Sequence, residues 1–373
     1  MSTSLARAET RARANPHACL ARYRPELQTA TRALAERHIR LAELSASFPA
    51  LFVALARPRA RFDPEPVIAN VIAGASLAAL AEDARVPLWL RKMAPGMFGG
   101  PIPELPDSLY LRRRIVNHLP ARAKLVPDWL DTVSRAARFS HDPFALWCAR
   151  LSARDMATMR KRFERLALWA WFSTEPSVRA NEFITRKWSA EIELKAALTA
   201  ADDWYETVQL YVFLGDRQID DVYLKPGNVN GFDFRPLRSA EEVAVEAKAM
   251  RNCVRTYGDE LASGRARLWS VQRRGARVAT LCTGWRRGNP LPSILDLMLS
   301  RNRLAPPEIW LAARKWLNGQ ELMLLSRWRK KGWPDAPLDR AMWIELWRPY
   351  WLAKRCFPEW LPLRSSVDAL YNL

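Results

Sequence analysis

Cys253 has the greatest reactive potential in this chain. It stands by a helix start with Arg251 and Arg255 close in sequence, and positive charge together with free helix N–H groups favours a thiolate. A nucleophilic cysteine also needs a base. Its neighbour Asn252 can hydrogen-bond but takes up no proton, and no His or Glu stands beside it. Tyr257 and Thr280 complete the set of catalytic candidates. With no proton acceptor in that set, the sequence assigns no reaction and favours a structural role for Cys253, since cysteine is often buried. Asp296, between leucines, is the one acid of its stretch. Paired acid–base chemistry would need a second carboxylate, and none lies near it in sequence. Walker, dinucleotide-binding and nucleophile-elbow motifs do not occur.

Anion binding is the second chemistry that the residue types suggest. Arg265 and Arg267 precede a predicted strand, Arg273, Arg274 and Arg277 surround a predicted turn, and Arg286, Arg287, Arg301 and Arg303 lie at other loops. Residues 239–319 carry 14 basic against 7 acidic side chains. Each phosphate that such a surface neutralises releases condensed counterions, so the expected partner is nucleic acid, DNA or RNA. A hairpin turn and the next connection lie at opposite ends of an antiparallel sheet, which predicts two arginine clusters bridged by one face, with Arg267 as the link. Neutralising Arg273, Arg274 and Arg277 is expected to leave stability almost unchanged. No reading helix or aromatic RNA motif accompanies them, so phosphate contact without strong base readout is expected.

The elements that must position these residues are legible. Ser239-Ala-Glu-Glu242 has capping-box spacing, so a helix begins near Ala240; it continues through Val243, Ala247 and Met250 towards Tyr257, and Gly264 supplies a stop. Whether Arg251 divides it stays open. Leu268–Val271 and Val278–Leu281 alternate around Arg274-Gly275 and read as a hairpin, with Val271 facing Val278 and Trp269 facing Thr280. Ser293–Ser300 reads as a third strand, and Pro306-Pro307 suits a helix start.

This series resembles the PcfJ-like family, named for a protein of conjugative plasmids and found in bacterial mobile elements. The likeness rests on Met250, Cys253, Val254, Tyr257, Gly264, Ser270, Ala279-Thr280-Leu281 and Asn302, and is strongest over about residues 240–305. The chain departs from the family at Asn252, where members commonly have His, and at Cys282, where they have an acid. The resemblance implies an accessory protein of a mobile element or prophage and supplies context more than chemistry; together with the charge distribution it favours a nucleic-acid-associated role.

Beyond this module, the 373 residues are 49% apolar with a net charge of +19, suited to a globular core in two or three domains. The odd number of cysteines, with no CxxC pair, argues for reduced thiols. No apolar run nears the roughly 20 residues needed to span a bilayer, and no signal-like apolar region opens the chain, so no membrane partner and a cytoplasmic location are expected. His118 and His141 lack neighbours at metal-ligand spacing, and Asp216, Asp220 and Asp221 match no EF-hand. Neither metal nor cofactor is expected.

The predicted fold class is α+β: a mainly helical half over 1–201 with a sub-boundary near 95–107, an antiparallel-sheet module over 202–319, and a Trp-rich basic helical tail over 320–373. Leu27, Leu34, Leu41 and Leu44 mark a packing face, as do Phe144 to Trp169. Val67–Ala84 reads as one helix and Pro226–Gly231 as a connector. Arg112-Arg113-Arg114 forms a basic cluster on a helix, and the Arg327–Trp333 connector could stack bases. Two alternatives stand beside nucleic-acid binding: an enzyme centred on Cys253, and a protein scaffold using the helical half.

Overall fold

A computed structural model of the chain describes residues 16–105, 108–219, 223–286, 289, 291–321 and 338–356. The fold is α+β. Residues 1–171 with 188–195 form one compact unit, and 172–187 with 196–373 form the other.

The first unit is built of short helices. Leu27, Leu34, Leu41 and Leu44 are all buried, as their spacing requires. His38 and His141 each cap a helix: the Nδ1 of His38 accepts from the Arg40 N–H at 3.2 Å, and that of His141 from Phe144 at 3.2 Å. The single helix expected over 67–84 is two, Glu65–Ala73 and Leu77–Asp83, because Gly74 turns left-handed at φ 87° and Ser76 caps the second. Leu109–Arg114 is helical, with the Arg114 guanidinium over the Tyr110 ring.

α1 (Leu194–Leu214), in the second unit from Ala196 on, runs unbroken through position 201, where the sequence suggested a boundary. The sheet is antiparallel with strands in chain order: β1 (Gly227–Val229), β2 (Phe232–Pro236), β3 (Ala266–Arg273), β4 (Ala276–Gly284), β5 (Ser293–Leu299) and β6 (Arg303–Leu304). It begins earlier than expected. Asn230 and Gly231 both adopt positive φ, the turn that matches strand twist, so the supposed connector is the first hairpin. The expected β3–β4 turn at Arg274-Gly275 is present, also with two positive φ values.

The register beyond that turn differs from expectation. A bulge places Val271 opposite Ala279 and Trp269 opposite Leu281, while Ser270 meets Thr280 and Leu268 meets Cys282. One extra residue in β4 reverses which side chains share a face. Trp269, Val271, Ala279 and Leu281 therefore lie together, under α4 (Pro307–Asn318), where Trp316 stacks on Phe234 at 4.7 Å and meets Trp269 edge-on at 4.8 Å. Thr280 and Cys282 are left for the opposite face.

That face is covered by α2 (Ala240–Met250) and α3 (Gly258–Ser263). Ser239 caps α2 by accepting from the Glu242 N–H, and Glu242 reaches back to the Arg238 N–H. Arg251 does divide the helical stretch: at φ 50° it turns left-handed, and the Arg251 and Asn252 N–H groups both donate to the Ala247 carbonyl. Gly264 ends α3 at φ 80°. The C-terminal helix α5 (Arg340–Lys354) puts Trp347 and Tyr350 against Phe172, within the core of the second unit. Leu322–Trp328 and the Arg327–Trp333 connector lie outside the described residues.

Candidate nucleic-acid interface and its cleft

The sharp turn at Arg251 swings Asn252 beneath β4, and a buried polar chain results. The Asn252 Nδ2 donates to the Thr280 Oγ1 at 2.9 Å, the Thr280 hydroxyl donates to the Glu246 Oε1 at 2.9 Å, and the Arg277 Nε donates to the Glu246 Oε2 at 2.8 Å. Glu246 is 0% exposed. Sequence reasoning missed it, although a signal exists: Glu246 interrupts the inward stripe of Val243, Ala247 and Met250, and an acid on a buried helical stripe needs partners.

Around this chain Asn252, Cys253, Tyr257, Thr280, Cys282, Asp296 and Asn302 line a cleft of about 20 Å3. That is room for one water-sized group. The four candidates from the sequence are thus brought together, joined by Asp296 and Asn302. Cys253 is exposed, in contrast with the four other cysteines, which are buried, so the expectation of a buried structural thiol is corrected. Its sulfur accepts from the Asn302 Nδ2 at 3.7 Å. Burial, with added repulsion from Cys282 and Asp296, pushes the Tyr257 phenol up to about 12; burial and the facing Asp296 do the same to Cys282. Both therefore keep their protons at neutral pH, and the phenol is a donor, not a base.

The arginines separate by end of the sheet. At the hairpin end stand Arg273, Arg274 and Arg277, and the β5–β6 turn brings Arg301 and Arg303 to that same end. Arg251 joins them as the neighbour of Asn252. Arg251, Arg273, Arg274, Arg301 and Arg303 are exposed, and none is ion-paired with a carboxylate among the described residues. Arg273 lies over the Phe232 ring at 5.1 Å, and the Arg303 Nε donates to the Ser300 carbonyl. Arg251, Arg274 and Arg301 all hold positive φ, a conformation that costs a non-glycine residue about 1–3 kcal/mol and that clusters at functional sites.

The other end is charge-compensated at Arg265 but, among the described residues, not at Arg286. Arg265 pairs with Asp259 at 2.7 Å, and Arg286 donates to the Ile294 carbonyl. Arg267 is 2% exposed and donates to the Leu261 and Ala266 carbonyls; a buried guanidinium cannot link two surface clusters, so that expectation is corrected. Arg277 is likewise half committed, to the buried Glu246, so its neutralisation costs stability and the expectation of almost unchanged stability is corrected at this residue. Arg287 lies outside the described residues, as do Asp220 and Asp221, while Asp216 accepts from Arg179 at 2.9 Å.

A larger cavity of about 400 Å3 lies in the first unit beside His118, Trp129 and Arg150, with no carboxylate or thiol in its lining. Burial and Arg150 hold His118 below its ordinary pKa. Among the described residues no helix is long and apolar enough to cross a membrane. No family model matches the chain, and no curated protein or solved structure matches it.

Proposed function

We propose that the second unit binds nucleic acid through its hairpin end, as an accessory protein of the mobile-element kind that the PcfJ-like resemblance implies. One observation carries the reading: five exposed arginines, contributed by the end of α2 and by two sheet turns, gather without acid partners among the described residues. Guanidinium groups present paired donors that suit phosphate oxygens. The turns that carry them are fixed by the sheet, so little ordering is needed on binding. An enzymatic reading has less support, because the Asn252 amide nitrogen is committed to Thr280 and the Thr280 hydroxyl to Glu246, and the Tyr257 phenol stays protonated.

The test is a titration of labelled single- and double-stranded DNA and RNA with the wild type and with Arg273→Gln/Arg274→Gln/Arg301→Gln. The variant is expected to bind all sequences more weakly, with a salt dependence flattened by about 0.7–0.9 log units per lost phosphate contact. Equal affinity of the two proteins for every strand would remove the proposal.

A further inference from the structure

The cleft inside the arginine rim has its own chemistry, and the ligand inferred for it rests on the proposed nucleic-acid reading. Asn252 is 6% exposed, and its Oδ1 has no hydrogen-bond partner. The direction of the polar chain fixes which amide atom is free. Glu246, ion-paired with Arg277, only accepts, so Thr280 spends its single hydrogen on it. The Thr280 oxygen must then accept from Asn252, and only the amide nitrogen donates. The Oδ1 is left as a buried acceptor on a residue that lines the cleft, and such an atom calls for a donor.

Asp296 adds a second acceptor. One of its oxygens accepts from the Leu297 N–H at 2.9 Å, and the residue lines the cleft. Two acceptors and room for one water-sized group match a group with two hydrogens. A hydroxyl brings one and would leave an acceptor open. The cleft is too small for a ring, so the group must project from a ring that stays outside.

We infer that the cleft takes the amino group of an unpaired nucleobase, cytosine N4 or adenine N6, with its two hydrogens going to the Asn252 Oδ1 and to Asp296, while the arginines around it hold the flanking phosphates. In a duplex one of the two amino hydrogens is used in pairing, so a group that gives both to the protein belongs to an unpaired base. This adds a base-edge contact to a surface whose sequence suggested phosphate contact alone.

The experiment uses the full chain and three labelled strands: oligo(dC), oligo(dC) built from N4,N4-dimethylcytosine, and oligo(dT). Dimethylation removes both hydrogens and enlarges the group beyond the cleft. Oligo(dC) is expected to bind about tenfold more tightly than the other two, the scale of one good base-edge contact, and Asp296→Ala is expected to narrow that gap. Equal affinity for the dC and dimethyl strands would overturn the inference and leave the phosphate reading standing; no binding of any strand would remove both. A second readout needs no substitution. Cys253 lines the same cleft, so bound oligo(dC) should slow its alkylation by iodoacetamide in proportion to occupancy, whereas equal protection by the dimethyl strand would also overturn the inference.

Discussion

Replacing Arg277 with alanine is expected to destabilise the second unit by about 2 kcal/mol, far more than an exposed surface charge contributes. Its partner Glu246 is fully buried, and among the described residues only Arg277 and Thr280 donate to its carboxylate. Removing one member of a fully buried ion pair costs about 3–5 kcal/mol. Arg277 is 39% exposed, so water already screens part of the pair, which places the loss below that range. For a unit of this size, about 2 kcal/mol lowers Tm by roughly 4–8 °C. Thermal melting followed by tryptophan fluorescence measures it, with Glu246→Gln/Arg277→Ala as the diagnostic arm. The amide still accepts from Thr280 and strands no charge, so the double variant should recover more than half of the loss. Coincident melting of Arg277→Ala and wild type, or a double variant no better than the single one, would refute the argument.

Two further outcomes are expected on the same face of the sheet. Iodoacetamide should label the folded chain at Cys253 alone, because the other four thiols are buried and burial pushes Cys148 and Cys282 up; peptide mapping that found Cys282 labelled equally fast would contradict the placement. Burial and the neighbouring Asp259 push Glu260 up to about 7, so the folded chain binds that proton more tightly than the unfolded chain. Its stabilising contribution is present at low pH and is lost as pH rises from about 4.5 to 7. Glu260→Gln should remove that decline and gain roughly 1–2 kcal/mol at pH 8 relative to pH 4, measured by denaturant unfolding at both values. A variant whose stability keeps the wild-type pH profile would contradict it.

The parts of this fold that local chemistry decides were readable from the sequence. Ser239 and Glu242 cap α2, Gly264 stops α3, and Arg274-Gly275 turns the hairpin, each through its own backbone preference. The bulge in β4 was not readable, because its register is chosen by the need to bury Ala279 and Leu281 with Trp269 under α4, contacts distant in sequence. The cleft depends on that choice: without the bulge, Thr280 would face α4 and not Asn252. Asn230-Gly231 was legible in principle, since Asn-Gly between apolar residues is a strong hairpin signal. The fates of Arg267 and Arg277 were not, since arginines in a strand look alike until burial is known.

The location of the binding surface is the central claim, and a comparison of salt slopes tests it most directly. Binding of a labelled single strand is measured over a range of salt concentrations for the wild type, for Arg273→Gln/Arg274→Gln/Arg301→Gln and for Arg286→Gln at the opposite end of the sheet. The hairpin-end variant should lose about 0.7 log units of slope per single-strand phosphate contact removed, with the Arg286→Gln slope unchanged; a loss confined to Arg286→Gln, or identical slopes in all three proteins, would contradict the account.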